Sequence, residues 1–344
     1  MANHLDLEEA MIKALEKQYK SDKADAFQAR YFAAKAKLFN DILRWIRSNE
    51  PNLSDHSEQH IENVLNNAYK LISTEIDESL DSENPIITGL DLYFLCQVCL
   101  FHDVGNFYGR KSHNQKISEI INKAFGDLFD GEHKRERRLI AEAGRAHTGK
   151  EGKDTLLDLF NKNEHIQGDH IHYCAIAAIV RFADELAEGP QRTSAFMLDE
   201  DKFSSDSKIF HKYATCTHIK IDSPNQRISI SYEFNIEISS SDNEDEIKKE
   251  LKDLLAFTYS RISKLDQERK YYNYYAKISR PIREVQVIFN FQKDDYDIEF
   301  KLDPLILNDL IVPGNSHHFF LENRVDLDIE TVLAHISNEI FATE

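Results

Sequence analysis

Imidazoles and carboxylates recur in the first half of this chain in an order that could bring them to one centre. His56 and His60 stand four residues apart, and His102 is followed directly by Asp103. His113 lies in Arg110-Lys-Ser-His-Asn, His147 in Ala146-His-Thr-Gly, and Asp184 inside the apolar stretch Ile179-Val-Arg-Phe-Ala-Asp. Nitrogen and oxygen donors of this kind suit Mn²⁺, Fe²⁺, Co²⁺ or Mg²⁺ better than thiolate-loving ions. A four-residue spacing puts His56 and His60 on one helix face, with Val64 a turn further along toward the core. A carboxylate at Asp184 is costly to bury unless a cation or hydrogen-bond donors meet it, and a salt bridge to Arg181 or Arg192 would serve as well as a metal. Any one of these histidines alone reads most simply as a hydrogen-bonded structural residue. The ordered set reads as a metal centre.

Helices must position these groups. Up to about residue 200, apolar residues recur mainly at intervals of three and four, which predicts helices over 5–21, 25–49, 55–76, 89–103, 112–128, 133–147, 152–162 and 169–188. Asp77 to Pro85 reads as an acidic connector, and Val104-Gly105-Asn106 as a turn ending the helix that carries His102 and Asp103. Period-two alternation then appears in 214–222 and 227–239, separated by Ser-Pro-Asn-Gln, and again in 283–291 and 297–302 around Lys293-Asp-Asp-Tyr. A long helix is expected between the two hairpins, over 244–276. The fold class is therefore mainly α: a helical bundle over 1–205 followed by a smaller α+β domain over 206–344.

With 344 residues, 41% hydrophobic and 30% charged, the chain is long enough for two globular domains. Sixty acidic against 42 basic side chains give a net charge of −18, which argues against long nucleic acid as a partner while leaving small anionic ligands open. Cys96, Cys99, Cys174 and Cys216 are scattered, so a reducing compartment is expected, and Cys96-Gln-Val-Cys99 reads as packing in an apolar helix rather than a redox pair. The first residues lack a signal-peptide core and the apolar runs are too short for a bilayer, so the expectation is a cytoplasmic protein with no membrane partner. Asp169-His-Ile-His172 is expected to start a helix, with Asp169 as its cap and His170 and His172 pointing apart. His317-His318 reads as surface, and Tyr271-Tyr-Asn-Tyr-Tyr275 as a packing or dimer face, which leaves a homo-oligomer open. P-loop, Gly-x-Gly-x-x-Gly and Gly-x-Ser-x-Gly patterns are missing.

Three stretches together, His60-x-x-x-Val64, Leu100-Phe-His-Asp-Val-Gly105 and Phe182-Ala-Asp-Glu-Leu186, resemble the HD-domain metal-dependent phosphohydrolase superfamily over about residues 50–195. The resemblance implies that His60, His102, Asp103 and Asp184 hold one divalent ion. His113 and His147 match the two further histidines of bimetallic branches, so two ions are implied. Asp103 would bridge them, with water between the ions attacking phosphorus and Asp103, His113 and His147 forming the catalytic set. His56 occupies a place where some branches carry an extra ligand. Arg110, Lys111, Arg145, Lys150 and Arg192 flank these motifs and are candidates to clamp substrate phosphates.

Thr148-Gly-Lys-Glu-Gly-Lys stands where the cyclic-dinucleotide branch carries Gly-Tyr-Pro, so cyclic di-GMP is not implied, and the triphosphohydrolase pattern is also missing. The closest likeness is to bacterial HD proteins with Arg110-x-x-His113-x-x-x-x-Ser118-x-x-Ile121 and Ala183-Asp-Glu-Leu-x-x-x-Pro-x-Arg192. The expected activity is hydrolysis of a phosphate ester in a nucleotide or related small molecule. The alternative is a nucleotide-sensing or scaffold protein that uses the same pocket for binding, in bacterial stress or phage defence.

Overall fold

The computed structural model describes residues 4–49, 57–151, 154–162, 164–238, 243–309 and 324–341. His56 and His317-His318 lie outside the described residues. Contacts divide the chain into two units, Met1–Ala187 with Glu268–Pro281, and Glu188–Gln267 with Ile282–Glu344.

The first unit begins with α1 (Asp6–Gln18) and α2 (Ser21–Leu38), the latter running through a π-helical turn, Phe39–Leu43, into α3 (Arg44–Asn49). Then come α4 (Glu58–Asp81), α5 (Gly89–Phe101), α6 (His113–Ala124), α7 (Lys134–Arg145) and, after two short hairpins, α8 (Tyr173–Glu185). The bundle is built around α5, every residue of which is buried. Its start is fixed by a reciprocal cap: the Thr88 hydroxyl accepts from the Asp91 amide, and the Asp91 carboxylate accepts from the Thr88 amide. Gly89 lets α1 approach closely, since a Cβ there would sit 2.6 Å from backbone atoms of Ala14 and Leu15. The acidic connector expected from Asp77 is helical as far as Asp81.

One expected helix does not form. Over 152–162 the described backbone instead contributes β2 (Asp154–Thr155), which pairs with β1 (Lys150–Glu151), and a 3₁₀ turn, Leu156–Leu159. Leu156 and Leu157 still turn inward, so the apolar spacing was real but served a single tight turn. A second hairpin, β3 (Glu164–Ile166) with β4 (Asp169–Ile171), occupies the start of the helix expected from residue 169. Asp169 therefore does not cap α8; its carboxylate accepts from the Tyr19 hydroxyl and the Lys23 ammonium.

The second unit contains α9 (Ala195–Asp199), α10 (Ser205–Cys216), β5 (Thr217–Asp222), β6 (Arg227–Ile236), the long α11 (Glu244–Tyr275), β7 (Glu284–Lys293), β8 (Tyr296–Asp297), β9 (Leu305–Asn308) and α12 (Ile329–Ile340). The strands form one mixed sheet in the order β5-β6-β7-β8, with β9 also on β7. β6 and β7 run parallel from Arg227↔Glu284 to Ile236↔Lys293, and α11 lies in the connection between them. Alternate residues Ile228, Ile230, Tyr232 and Phe234 of β6 and Val285, Val287, Phe289 and Phe291 of β7 are buried. Leu255, Tyr259 and Ile262 of α11 are buried too, and the Tyr259 ring meets Phe289 at 5.9 Å between centroids.

The contact boundary differs from the expected 205/206 division. It falls after Ala187, and Glu268–Pro281 returns to the helical unit. Side chains explain the return: Glu268 binds Arg181, the Tyr272 ring packs on Phe182 at 5.1 Å, and the Arg280 amide donates to Glu75. Among the described residues, no helix is long and apolar enough to cross a membrane.

Candidate metal centre

Five helices of the unit deliver the ligand-type side chains. His60 sits in the first turn of α4, behind the Ser57 cap, whose hydroxyl accepts from the Gln59 amide. His102 is the C-terminal cap of α5, and Asp103 opens the 3₁₀ turn Val104–Tyr108. His113 begins α6 after Ser112, which adopts a left-handed backbone (φ 60°). His147 follows α7, and Asp184 lies one residue before the end of α8.

Two glycines allow this convergence. A Cβ on Gly105 would fall 1.8 Å from the His113 carbonyl oxygen, so α6 can start against the turn after Asp103 only with glycine there. A Cβ on Gly144 would press Ile117 at 3.2 Å and the His102 Cα at 3.5 Å. In the sequence Gly105 reads as part of a turn and Gly144 carries no local signal; their role is visible only where α6 and α7 touch the His102 segment.

The predicted ligands meet as two groups that share one residue: His60, His102, Asp103 and Asp184, and Asp103, His113 and His147. Asp103 divides its oxygens between them. Oδ2 lies 3.4 Å from His60 Nε2 and 3.5 Å from His102 Nε2, while Oδ1 lies 3.3 Å from His113 Nε2 and 3.2 Å from His147 Nε2. Asp184 Oδ1 completes the first group at 3.3 Å from His60 and 3.6 Å from His102. The imidazoles and Asp103 are almost fully buried, whereas the Asp184 side chain keeps 20% exposure and marks where solvent reaches the centre.

Backbone carbonyls fix the rings. His102 Nδ1 is 2.9 Å from Cys99 O, His113 Nδ1 is 3.1 Å from Arg110 O, and His147 Nδ1 is 2.6 Å from Gly144 O. A carbonyl only accepts, so each neutral ring carries its proton on Nδ1 and turns the Nε2 lone pair toward the carboxylates. His113 Nε2 and His147 Nε2 then face each other at 3.0 Å, lone pair against lone pair, and His102 Nε2 is buried with no hydrogen-bond partner. A shared positive charge resolves both conflicts. Donors about 2.1 Å from a common cation lie about 3.0 Å apart at right angles and about 3.4 Å apart at tetrahedral angles. The separations here match, and the donor set fits divalent ions.

Electrostatics agree with that fit. Burial opposes charge on His102, but Asp103 and Asp184 outweigh it and push the imidazole up to about 9. Burial lowers His147 below the ordinary imidazole value, against the pull of Asp103. Burial would raise Asp184, yet His102 and His60 hold its carboxyl well below the usual range. The cradle is built to hold positive charge. Arg181 is not the partner of Asp184, because its guanidinium is taken by Glu268.

A model of the family described as HD-CE matches residues 50–264, more than half of the 344. The chain belongs to the HD-CE family. No curated protein matches it and no solved structure matches it. The HD-CE match covers all six ligand-type residues and ends within α11, four residues before Glu268.

The flanking cations of this HD-CE chain are dispersed among different settings. Arg110, Lys111 and Arg145 are exposed near the ligands in sequence; Arg110 and Arg145 also lend backbone carbonyls to the His113 ring and the Asn114 amide. Lys150 lies in β1, its backbone paired with Thr155. Arg192 is buried in the 3₁₀ turn Pro190–Arg192 of the second unit. Cys96 and Cys99 are buried in α5, where burial raises both thiols, as the packing reading expects. His170 and His172 do not point apart as expected, since their rings meet at 4.9 Å, and His172 Nδ1 is tied to Asp91.

Proposed function

We propose that this HD-CE protein is a metal-dependent phosphohydrolase that cleaves a phosphate ester bond of a nucleotide or related small molecule with activated water. The observation that carries this reading is Asp103, whose two carboxylate oxygens serve separate imidazole groups. Divalent cations in the two groups would supply Lewis acidity, lowering the pKa of water and offsetting charge on phosphate oxygens. The identity of those ions is proposed to be Mn²⁺, Fe²⁺, Co²⁺ or Mg²⁺, and their number two.

The chain's own residues do the rest. His102, His113 and His147 hold fixed orientations through the backbone contacts above, so little reorganisation is needed as charge develops. The opening at Asp184 gives a phosphate its approach. Arg110, Lys111, Arg145 and Lys150 are the proposed phosphate contacts, with Arg preferred for its planar fork. The partner is proposed to be a small phosphorylated molecule rather than long nucleic acid or membrane, in the cytoplasm, with assembly into a homo-oligomer left to measurement.

Metal analysis of the purified protein, with Asp103→Ala tested against a nucleotide panel, decides the matter. Bound metal and turnover that disappears in the variant are expected; neither bound metal nor Asp103-dependent turnover would overturn the proposal. Tight nucleotide binding without product after long incubation with Mn²⁺ or Co²⁺ would favour the sensing or scaffold role instead.

A further inference from the structure

Arg181 is one of the few arginines buried to within a few per cent, and its partners lie on three separate stretches of the helical unit. It projects from α8, three residues before Asp184. Its Nη1 donates to Ala146 O at 2.9 Å, Gly149 O at 3.1 Å and Thr155 Oγ1 at 2.9 Å. Its Nε and Nη2 form a two-pronged pair with Glu268, itself 5% exposed, and its guanidinium carbon lies 5.0 Å from the Tyr271 ring centroid. Every polar atom of the guanidinium is thereby committed within the protein.

The two carbonyls matter because of what lies between them. Ala146 and Gly149 bracket His147, and the described residues from there to 162 contain only the two-residue strands β1 and β2 and one 3₁₀ turn. The His147 ring and amide both hold to Gly144 O at the end of α7, while the carbonyls on either side, Ala146 O and Gly149 O, are tied to Arg181. Glu268 in turn fixes Arg181, since a bidentate carboxylate sets both the plane and the depth of a guanidinium. A guanidinium without that partner would be a buried charge seeking water.

We infer that Glu268 and Arg181 are positioning residues for the Asp103–His113–His147 group, holding His147 at ligand distance from a second cation. Neither touches the proposed ions, and Glu268 lies beyond the residues that define the family match. The inference rests on the two-ion reading above and adds a residue that the ligand pattern does not contain. Removal of such an outer contact typically weakens a metal site about 10- to 100-fold. The group containing His60 and Asp184 does not depend on the 146–149 turn and should keep its affinity.

The test is Mn²⁺ titration of the full chain, wild type and Glu268→Gln, followed by calorimetry and by metal content after dialysis, with melting temperature measured in parallel. Two ions in the wild type, with one weakened at least about tenfold and the other unchanged in Glu268→Gln, is the expected result. Thr155→Val removes one acceptor and leaves the ion pair, so it provides the same comparison if Glu268→Gln fails to fold; a several-fold loss at one ion only is expected. Glu268→Asp, which restores the charge on a shorter arm, should recover part of the loss. Two ions held equally well in wild type and variants would overturn the inference alone, as would equal weakening of both ions in step with melting temperature. Fewer than two ions in the wild type would overturn it together with the two-ion reading.

Discussion

Replacing Asp103 by Asn keeps the shape of the side chain and removes the one charge that both imidazole groups share. Its size can be worked from His102. An imidazole at about 9 rather than near 6.5 prefers positive charge by about 3 kcal/mol, against the cost of burial. Asp103 and Asp184 provide that preference over and above the cost of burial, so half of it, about 1.5 kcal/mol for a single charge and about 3 kcal/mol for a divalent ion, is a lower figure for Asp103. The expected loss in Asp103→Asn is about two orders of magnitude in affinity at the group that contains His102, with weakening at the other group as well. Competition with a chelator of known affinity, in buffered Mn²⁺ or Co²⁺, measures it, and circular dichroism confirms that the variant is folded. Because protons compete for the same nitrogen, wild-type affinity should also climb with pH until about 9. A folded variant that binds both ions within threefold of wild type would refute the shared-carboxylate reasoning.

Gly105→Ala should destabilise the protein by about 3 kcal/mol or more, because the new methyl group meets the His113 carbonyl; urea unfolding measures the change, and a near-neutral result would contradict the close approach. His172 is raised above its ordinary value by its bond to Asp91, against burial, so its stabilisation is complete below the unfolded value of about 6.5 and is lost as pH rises through the higher folded value. Asp91→Asn should remove that pH dependence and weaken the α5 cap, read as unfolding midpoints across the window; an unchanged slope would count against it. Burial pushes Cys174 up to about 11 and Cys216 up to about 12 and raises Cys96 and Cys99 as well, so a thiol reagent at neutral pH should label none of the four before unfolding. A single fast-reacting cysteine would show that one of these helices opens.

The ligand set was legible because its signals are local and ordered: His60 at helical spacing from Val64, the adjacent His102-Asp103, and a lone carboxylate in the apolar stretch ending at Asp184. The first hairpin of the second unit and the helix after it were legible from alternation and turn residues, but of the strand expected over 297–302 only Asp297 pairs, in the two-residue β8, and the longer antiparallel partner of β7 is β9 instead. What escaped depended on distant partners. Nothing near Arg181 indicates that its carboxylate arrives 87 residues later rather than three, so Asp184 seemed an equal candidate. Leu156, Leu157 and Phe160 have helical spacing, yet the Thr155 hydroxyl just before them is held by Arg181 and the backbone there is paired as β1 and β2, so one turn is all that remains. Residues 205–216 form a helix whose last residues, from Ala214, were read into the strand because the alternation of β5 begins without a break.

The ten-residue parallel ladder between β6 and β7 has a consequence for anyone shortening this polypeptide. A fragment trimmed to the matched residues 50–264 would retain β6 and discard the strand that pairs with its whole length. Its amides and carbonyls would then form an open, apolar edge, a template for cross-chain association. Such a fragment is expected to be insoluble for reasons unrelated to its candidate metal ligands, and inactivity in it would carry no information about the proposed chemistry.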